Sequence, residues 1–308
     1  MTNNSNYFKF FLFHLCHTKG EFIFYIQIFR WISGKYKNKR NTNWCSFAKK
    51  GLTKMIIMER EQSYFMVTQN DHAKIAGEIA RNCKDDYFFD HTRTQEVQLA
   101  IQEHDRGWIE LDTSPVWNDK TEMPYSFIDY PIVLKISFYK KGLNEVEKMS
   151  KYAGLLCSLH YSSFIQDATE PVVREFWNEE KQRQEQLLKG LQMVGNEKKN
   201  ETLMYHLDLL KFCDYLSLYI CLNEPGDNKR IHTFFRNGFP QLFPFVTDKP
   251  INAHWKNQET VSLSFSPLKG ELEVKLPYRA VRKDQIEEHG ILRAYKDTPV
   301  TIRKIAFN

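Results

Sequence analysis

Apolar and polar residues follow two different periods along the chain. Near both ends of the stretch from Met55 onward they alternate, which is typical of half-buried strands, whereas the middle repeats at helical spacing. Strands are predicted around Ile56–Met58 and Tyr64–Thr68 and in the segments VSLSFSP, ELEVKLPYRAV and PVTIRKIAFN. Helices are predicted from His72 to Cys83, from Thr92 or Thr94 to Asp105, and over Asn144–Ile165, Pro171–Met193 and Glu201–Leu222. The pattern predicts a mainly α fold, in which a helical body carries a small antiparallel β-sheet formed near the N- and C-terminal ends.

The segment from Asp112 to Pro131 interrupts the helical pattern. It contains Pro115, Pro124 and Pro131 with aromatic residues between them. Long irregular connections of this kind are often lids or binding loops. We therefore expect this segment to cover a bound substrate.

The first 54 residues differ in charge from the rest of the chain. They hold ten of the 43 Lys and Arg residues and one of the 38 Asp and Glu residues, so their formal charge is +9 and that of the remainder is −4. The overall charge of +5 therefore does not indicate a nucleic-acid partner for the main part of the chain. Residues 1–54 are predicted to be a basic N-terminal extension that is disordered or not translated, with Met55 or Met58 as the natural start. Residues 55–308 are predicted to form a single domain with a C-terminal β segment at about 258–308.

Membrane and secretion signals are weak. The apolar run FFLFHLC is interrupted by a histidine and is far shorter than a bilayer-spanning helix. The six cysteines include no CxxC pair, which fits reduced thiols better than a disulfide framework. The sequence predicts a cytoplasmic protein with no membrane partner.

Three predicted helical stripes contain ionisable residues where apolar ones are expected: His72, then His104-Asp105, then Asp214. A buried ionisable group costs free energy unless something compensates it. Two imidazoles and two carboxylates suit a divalent Mn, Fe, Co or Zn ion with open positions for water and substrate. Consecutive helical side chains diverge by about 100°, so His104 and Asp105 can share an ion only where the helix end loosens, and Gly107 permits that. We predict His72, His104, Asp105 and Asp214 as metal ligands.

Each of these residues also has a plainer interpretation. His72 can be a capping or surface histidine, and His104-Asp105 can be a satisfied core pair. Asp214 can be a satisfied core carboxylate, with Asp208 as the competing candidate ligand.

The order H…HD…D in the surroundings HAKIAGEIA, EHDRGW and FCDYLSLYI resembles the HD-domain superfamily of metal-dependent helical proteins, mostly phosphohydrolases with a few iron oxygenases. The tract EHDRGWIELDTSP…MPYSF with LCSLHYSSF also resembles an uncharacterised bacterial domain-of-unknown-function family of this superfamily. The resemblance implies an HD-domain-like helical bundle. One departure is Trp108, because many members have a basic residue at that position.

Further residues are candidates for chemistry around the ion. His160 resembles the extra histidine that some members of the superfamily use for a second metal or for substrate, the alternative being a hydrogen-bonded core histidine. Asp105 and His160 are predicted to handle the proton in catalysis. His91, Arg93 and Arg106 are candidates for binding a substrate phosphate, although such residues are often surface groups.

Together, these features predict a metal-dependent hydrolase of a small phosphorylated or nucleotide-like substrate, with metal-activated water as the nucleophile. The alternatives are a non-enzymatic regulatory module of the same fold that binds a metal or ligand, an iron-dependent oxygenase, and a helical interaction protein that binds no metal. A homo-oligomer is compatible with the sequence. No phosphate-binding glycine loop, nucleophile elbow or dinucleotide fingerprint is present.

Overall fold

The computed structural model describes residues 53–308 except 167, 242, 244–245 and 247–248. The predicted N-terminal extension therefore lies outside the described residues, apart from Thr53 and Lys54. Its disorder, its translation and the natural start at Met55 or Met58 stay predictions.

Six helices form a body in the described part of the chain. They are α1 (Gln69–Asn82), α2 (Thr94–Glu103), α3 (Ile132–Met149), α4 (Lys151–Ile165), α5 (Pro171–Gly190) and α6 (Glu197–Leu222). Two short helices, α7 (Lys283–His289) and α8 (Ile291–Asp297), precede the last strand. None of these helices combines the length and the hydropathy that a bilayer-spanning helix needs.

Helix α6 is the centre of the helical body. All of its residues from Leu203 to Leu222 are buried, because α1, α2 and α4 pack around it. Helix α1 also packs on α2, and α4 packs on α2, α3 and α5. A helix buried on every side has few places for charged groups. The ionisable residues of α6 therefore need partners on the surrounding helices.

The structure divides the predicted helix at Asn144–Ile165 into two. Helix α3 begins earlier, at Ile132, and ends at Met149. Ser150 then has an extended backbone, and its side chain accepts a hydrogen bond from the Ala153 N–H at 3.2 Å. Ser150 is thus the N-cap of α4. The sequence pattern did not indicate this cap, because apolar residues keep helical spacing on both sides of it.

A six-stranded mixed sheet joins the two ends of the described chain. Its strands, in spatial order, are β2 (Ile56–Glu59), β3 (Ser63–Val67), β9 (Leu272–Arg282), β10 (Thr301–Phe307), β8 (Thr260–Leu263) and β7 (Ala253–Trp255). β10 runs parallel to β8, and the other neighbours are antiparallel. The eleven-residue β9 pairs with β10 through Leu272–Tyr278 and with β3 through Arg279–Arg282.

The prediction of a mainly α, HD-domain-like helical bundle with a small antiparallel sheet is therefore wrong. The sheet is large, it is mixed, and it holds a substantial part of the fold together. Each strand is recognisable from its alternation, but the pairing of β3 with β9 joins residues more than 200 positions apart. Local period carries no information about such pairings.

The segment 112–131 contains three short strands, β4 (Trp117–Asn118), β5 (Met123–Pro124) and β6 (Ser126–Phe127). β4 pairs with β5, and β6 pairs with β1 (Thr53–Lys54). Met55 follows β1 and is fully buried in a cluster with Tyr64, Val281 and Tyr295. This cluster packs α7 and α8 against the sheet.

Candidate metal centre

His72 lies in the first turn of α1, where several groups fix the helix start. The Thr68 hydroxyl accepts a hydrogen bond from the Asp71 N–H at 3.0 Å and is the N-cap, two residues before the predicted Asn70-Asp71. The Asp112 carboxylate accepts two more, from the backbone N–H groups of Gln69 at 3.2 Å and Asn70 at 3.1 Å. These bonds satisfy N–H groups that a helix leaves open at its N-terminus. They also hold His72 in place.

His104 and Asp105 lie where α2 ends. His104 keeps helical backbone angles, whereas Asp105 leaves the helix at φ −105° and ψ 21°. The loosened end brings the two side chains together, with His104 Nε2 3.6 Å from Asp105 Oδ2.

The role expected for Gly107 needs correction. Gly107 is not among the glycines of the described chain with positive φ, so other residues could adopt its backbone conformation. A Cβ at Gly107 would instead lie 2.7 Å from the carbonyl oxygen of Phe138 in α3. Close packing against α3 therefore explains this glycine.

Asp214 reaches the same point from α6, and His160 reaches it from α4. Asp214 Oδ1 is 3.5 Å from His104 Nε2 and 3.9 Å from His72 Nε2, and its Oδ2 is 3.6 Å from His160 Nε2. His72 Nε2 is 2.8 Å from Asp105 Oδ2. We call His72, His104, Asp105, His160 and Asp214 the His/Asp cluster.

Three members of the His/Asp cluster form a group that could hold a metal ion. His72, His104 and Asp214 each offer one ligand atom, and these atoms lie within 4.8 Å of one another. All three side chains are buried. The structure thus brings three of the four predicted ligands together where an ion could bind; the binding of an ion, its identity, and the roles of Asp105 and His160 stay predictions.

Hydrogen bonds on the far side of the two histidine rings decide which nitrogen faces the cluster. The Nδ1–H of His104 donates to the Ile101 carbonyl oxygen at 2.7 Å, so Nε2 carries the lone pair. The Ser217 hydroxyl donates to the Asp214 carbonyl oxygen at 2.9 Å, so it accepts from the Nδ1–H of His72 at 2.8 Å. Both rings therefore turn Nε2 towards the cluster, as histidine ligands of a metal do.

This arrangement fits a cation. Buried His104 Nε2 has no hydrogen-bond partner among the described residues, and His72 Nε2 faces a carboxylate oxygen. Two acceptors at hydrogen-bond distance repel unless a proton or a metal ion lies between them. Nitrogen and carboxylate ligands together suit the Mn, Fe, Co or Zn class.

The electrostatics favour positive charge at the same place. Burial alone would lower the pKa of His104, but the Asp105 and Asp214 carboxylates outweigh it and raise the pKa to about 9. Burial would raise the pKa of Asp105, but the pKa is lowered, and the charge of His104 contributes most to the lowering. Without a metal, a proton on His104 compensates the two carboxylates.

His160 differs from the other two histidines. Its Nδ1 is buried without a hydrogen-bond partner among the described residues. Burial, with a further contribution from the charge of His104, keeps its pKa well below the usual range. His160 is therefore a neutral imidazole at pH 7.

Sequence reasoning missed three side chains around the cluster. The Tyr161 hydroxyl donates to Asp105 Oδ1 at 3.2 Å, and Ser217 holds His72 as described. Lys211 is 8% exposed and interacts electrostatically with Asp214; burial lowers its pKa to about 8. Ser217 and Lys211 are three residues on either side of Asp214, on one face of α6, so helical spacing could have found them.

The three predicted substrate-binding residues have other partners. Arg106 donates to Glu145 at 2.6 Å and to Glu103 at 2.9 Å. Arg93 pairs with Glu96 at 2.5 Å and lies over the Tyr152 ring. His91 is exposed in a short 3₁₀ turn before α2. Their roles in substrate binding stay predictions.

Comparison with known families gives one match. Residues 55–283 match the family described as "Protein of unknown function (DUF3891)", which covers more than half of the 308-residue chain. The chain belongs to this family. The expected membership of a domain-of-unknown-function family is confirmed, whereas the place of that family in the HD-domain superfamily stays a prediction; the matched region contains the whole His/Asp cluster. No curated protein and no solved structure shows significant similarity to the chain.

Proposed function

We propose that this protein is a metal-dependent hydrolase of a small phosphorylated or nucleotide-like substrate. One observation carries the proposal: one ligand atom each of the buried residues His72, His104 and Asp214 lies within 4.8 Å of the others. Hydrolysis is favoured over other metal chemistry because two imidazoles and one carboxylate leave open positions at which a divalent ion can activate water.

His72, His104 and Asp214 would hold the ion, with Asp105 as a further ligand through Oδ2. A bound divalent ion of the Mn, Fe, Co or Zn class lowers the pKa of a water ligand and polarises a phosphoryl oxygen. Ser217 and the Ile101 carbonyl orient the two imidazoles before an ion binds.

Two groups of the chain are placed to move a proton. The Tyr161 hydroxyl holds Oδ1 of Asp105, which leaves Oδ2 directed at the histidines. His160 Nε2 lies 3.6 Å from Asp214 Oδ2, which places a neutral imidazole beside the site, although its lowered pKa makes it a weaker base than a free imidazole. We assign the transfer of the proton from the attacking water to Asp105 or His160.

The enclosure of the cluster supports a small substrate. His72, His104, His160 and Asp214 are at most 4% exposed, whereas Asp105 is 8% exposed. The reacting group would enter on the side of Asp105. A cytoplasmic location and a homo-oligomeric state stay predictions.

The proposal is tested by phosphate release from a panel of phosphomonoesters and nucleotides. The chelator-treated protein is reloaded in turn with Mn, Fe, Co and Zn. We expect at least one metal to support turnover, and we expect His104→Ala to abolish it. His289→Ala removes an exposed histidine of α7 and should leave turnover unchanged.

Other outcomes favour the alternatives. A metal that binds without any phosphate release would contradict hydrolysis and favour a regulatory module. Two irons per chain with oxygen consumption would favour an oxygenase, with His160 as a ligand of the second iron.

A further inference from the structure

A surface cleft of about 370 Å³ opens beside the start of α1. Asp71 and Asp112 line it on the helical side. Arg279 of β9 and Tyr295 and Lys296 of α8 line it on the side of the sheet. A cleft of this volume is in the range that holds a small molecule.

The cleft is a neighbour of the His/Asp cluster and distinct from it. Asp71 directly precedes His72 in α1. The charge of Asp105 contributes to the raised pKa of Asp112, so these two carboxyl groups lie within electrostatic reach of each other. None of the five cluster residues lines the cleft.

The acidic side chains of the cleft are already satisfied. Both oxygens of the Asp112 carboxylate accept backbone hydrogen bonds from the start of α1. Burial keeps the pKa of Asp112 well above its usual range, which weakens its negative charge. Asp71 pairs with Lys74 at 3.2 Å.

The basic side chains have no such partners. Within the described ranges, neither Arg279 nor Lys296 forms an ion pair. The Arg279 guanidinium lies 4.9 Å from the centre of the Tyr295 ring and donates one hydrogen bond to the Thr298 carbonyl oxygen. These contacts fix the plane of the guanidinium, and its remaining N–H groups can serve a ligand.

We propose that this cleft binds a small anionic ligand, whose phosphate or carboxylate group is held by Arg279 and Lys296. A guanidinium fixed against an aromatic ring presents paired N–H donors to such an anion, and Lys296 adds a second positive charge. The binding requires no metal, so this site does not depend on the proposed hydrolase activity.

The proposal is tested by calorimetric titration of inorganic phosphate, and separately of acetate, into the full-length protein after chelator treatment. Removing metal prevents the anions from binding through an ion at the His/Asp cluster. We expect saturable binding that weakens about tenfold or more in Arg279→Gln and in Lys296→Gln, because each loses a charge-assisted contact. Binding of phosphate but not acetate identifies the ligand group as a phosphate, and the reverse identifies a carboxylate.

Arg293→Gln is the matched control. Arg293 also lies in α8, is exposed, pairs with Asp297 and does not line the cleft. It should bind the anion like the unmodified protein. Lys296 is exposed, so its variant tests the site even where Arg279→Gln folds poorly. Absence of saturable binding, or equal affinity in Lys296→Gln and the unmodified protein, would overturn the proposal.

Discussion

Ser217 connects two members of the His/Asp cluster without being a ligand itself. Its hydroxyl donates to the Asp214 carbonyl oxygen and accepts from His72 Nδ1, so a single oxygen sets the tautomer of His72. Such outer partners affect metal affinity, because they orient the lone pair that binds the metal.

Replacing Ser217 with alanine should lower metal affinity about 10–100-fold, the usual effect of losing an outer partner of a histidine ligand. The measurement is competition with a chelator of known affinity. Ser162→Ala is the control, since Ser162 is also buried and hydrogen-bonded but its partner is Gln184. Equal metal affinity in Ser217→Ala and Ser162→Ala would contradict the tautomer argument.

Lys135 is a buried lysine whose burial is only partly compensated, by the negative charge of Asp129. It is 0% exposed, and its Nζ has no hydrogen-bond partner among the described residues. Burial lowers the pKa of Lys135 well below the usual range, so folding favours the neutral amine over the ammonium group. The free-energy cost of burying this amine arises only in the folded state, so it lowers the stability of the fold.

Lys135→Met should therefore raise the free energy of unfolding by about 1–3 kcal/mol, because methionine fills similar space and needs no hydrogen bond. Urea unfolding at pH 7 measures the change. Lys148→Met alters an exposed lysine of the same helix and should stay within about 0.5 kcal/mol of the unmodified protein. A loss of stability in Lys135→Met would show that the amine has a compensating partner.

At the scale of elements, a close crossing of two backbones sets the position of Asp105. Gly107 follows Asp105, and Gly142 lies in α3. A Cβ at Gly142 would lie 2.6 Å from Gly107 Cα, far inside ordinary contact distance. The contacted atoms belong to the backbone of Gly107 and Arg106, not to a flexible side chain, so the turn after Asp105 would have to move.

Gly142→Ala should lower the melting temperature, with a loss of roughly 1–3 kcal/mol from overpacking. Gly190→Ala is the control, because a Cβ at Gly190 meets no atom within 4 Å. The control should be neutral or slightly stabilising, since alanine favours helix more than glycine does. Identical melting temperatures for the two variants would refute the close crossing.

The helices of the body could be predicted from the sequence because their period is local. Helices α1, α2, α5 and α6 match their predicted positions within a few residues. The boundary at Ser150 was missed because apolar residues keep helical spacing on both sides of it. A capping serine is a single-residue signal, which a periodic pattern easily hides.

At the scale of the whole molecule, the cluster was more predictable than the sheet. Each of the three ligand candidates, His72, His104 and Asp214, is an ionisable residue in an apolar helical stripe. Such a residue can be recognised without knowing the order of the strands or helices. The order of the strands depends on pairings between distant segments, which no local pattern encodes. The mixed sheet was therefore missed although its strands were recognised.

The partners of the arginines could not be predicted for the same reason. Glu145, which binds Arg106, lies on α3, and its proximity follows from the crossing at Gly107 and Gly142. In the sequence Arg106 is simply a basic residue next to the His-Asp pair. Sequence spacing places a residue on an element, but the packing of elements decides which charge it meets.

The metal centre is tested most directly by the metal content of the protein purified without chelator, beside that of Asp214→Ala and Asp208→Ala. Asp208 is buried in the same helix and is the competing candidate ligand. We predict close to one Mn, Fe, Co or Zn per chain in the unmodified protein and in Asp208→Ala, and its loss in Asp214→Ala. No metal in any of the three, or equal metal in Asp214→Ala and the unmodified protein, would contradict the metal centre at His72, His104 and Asp214.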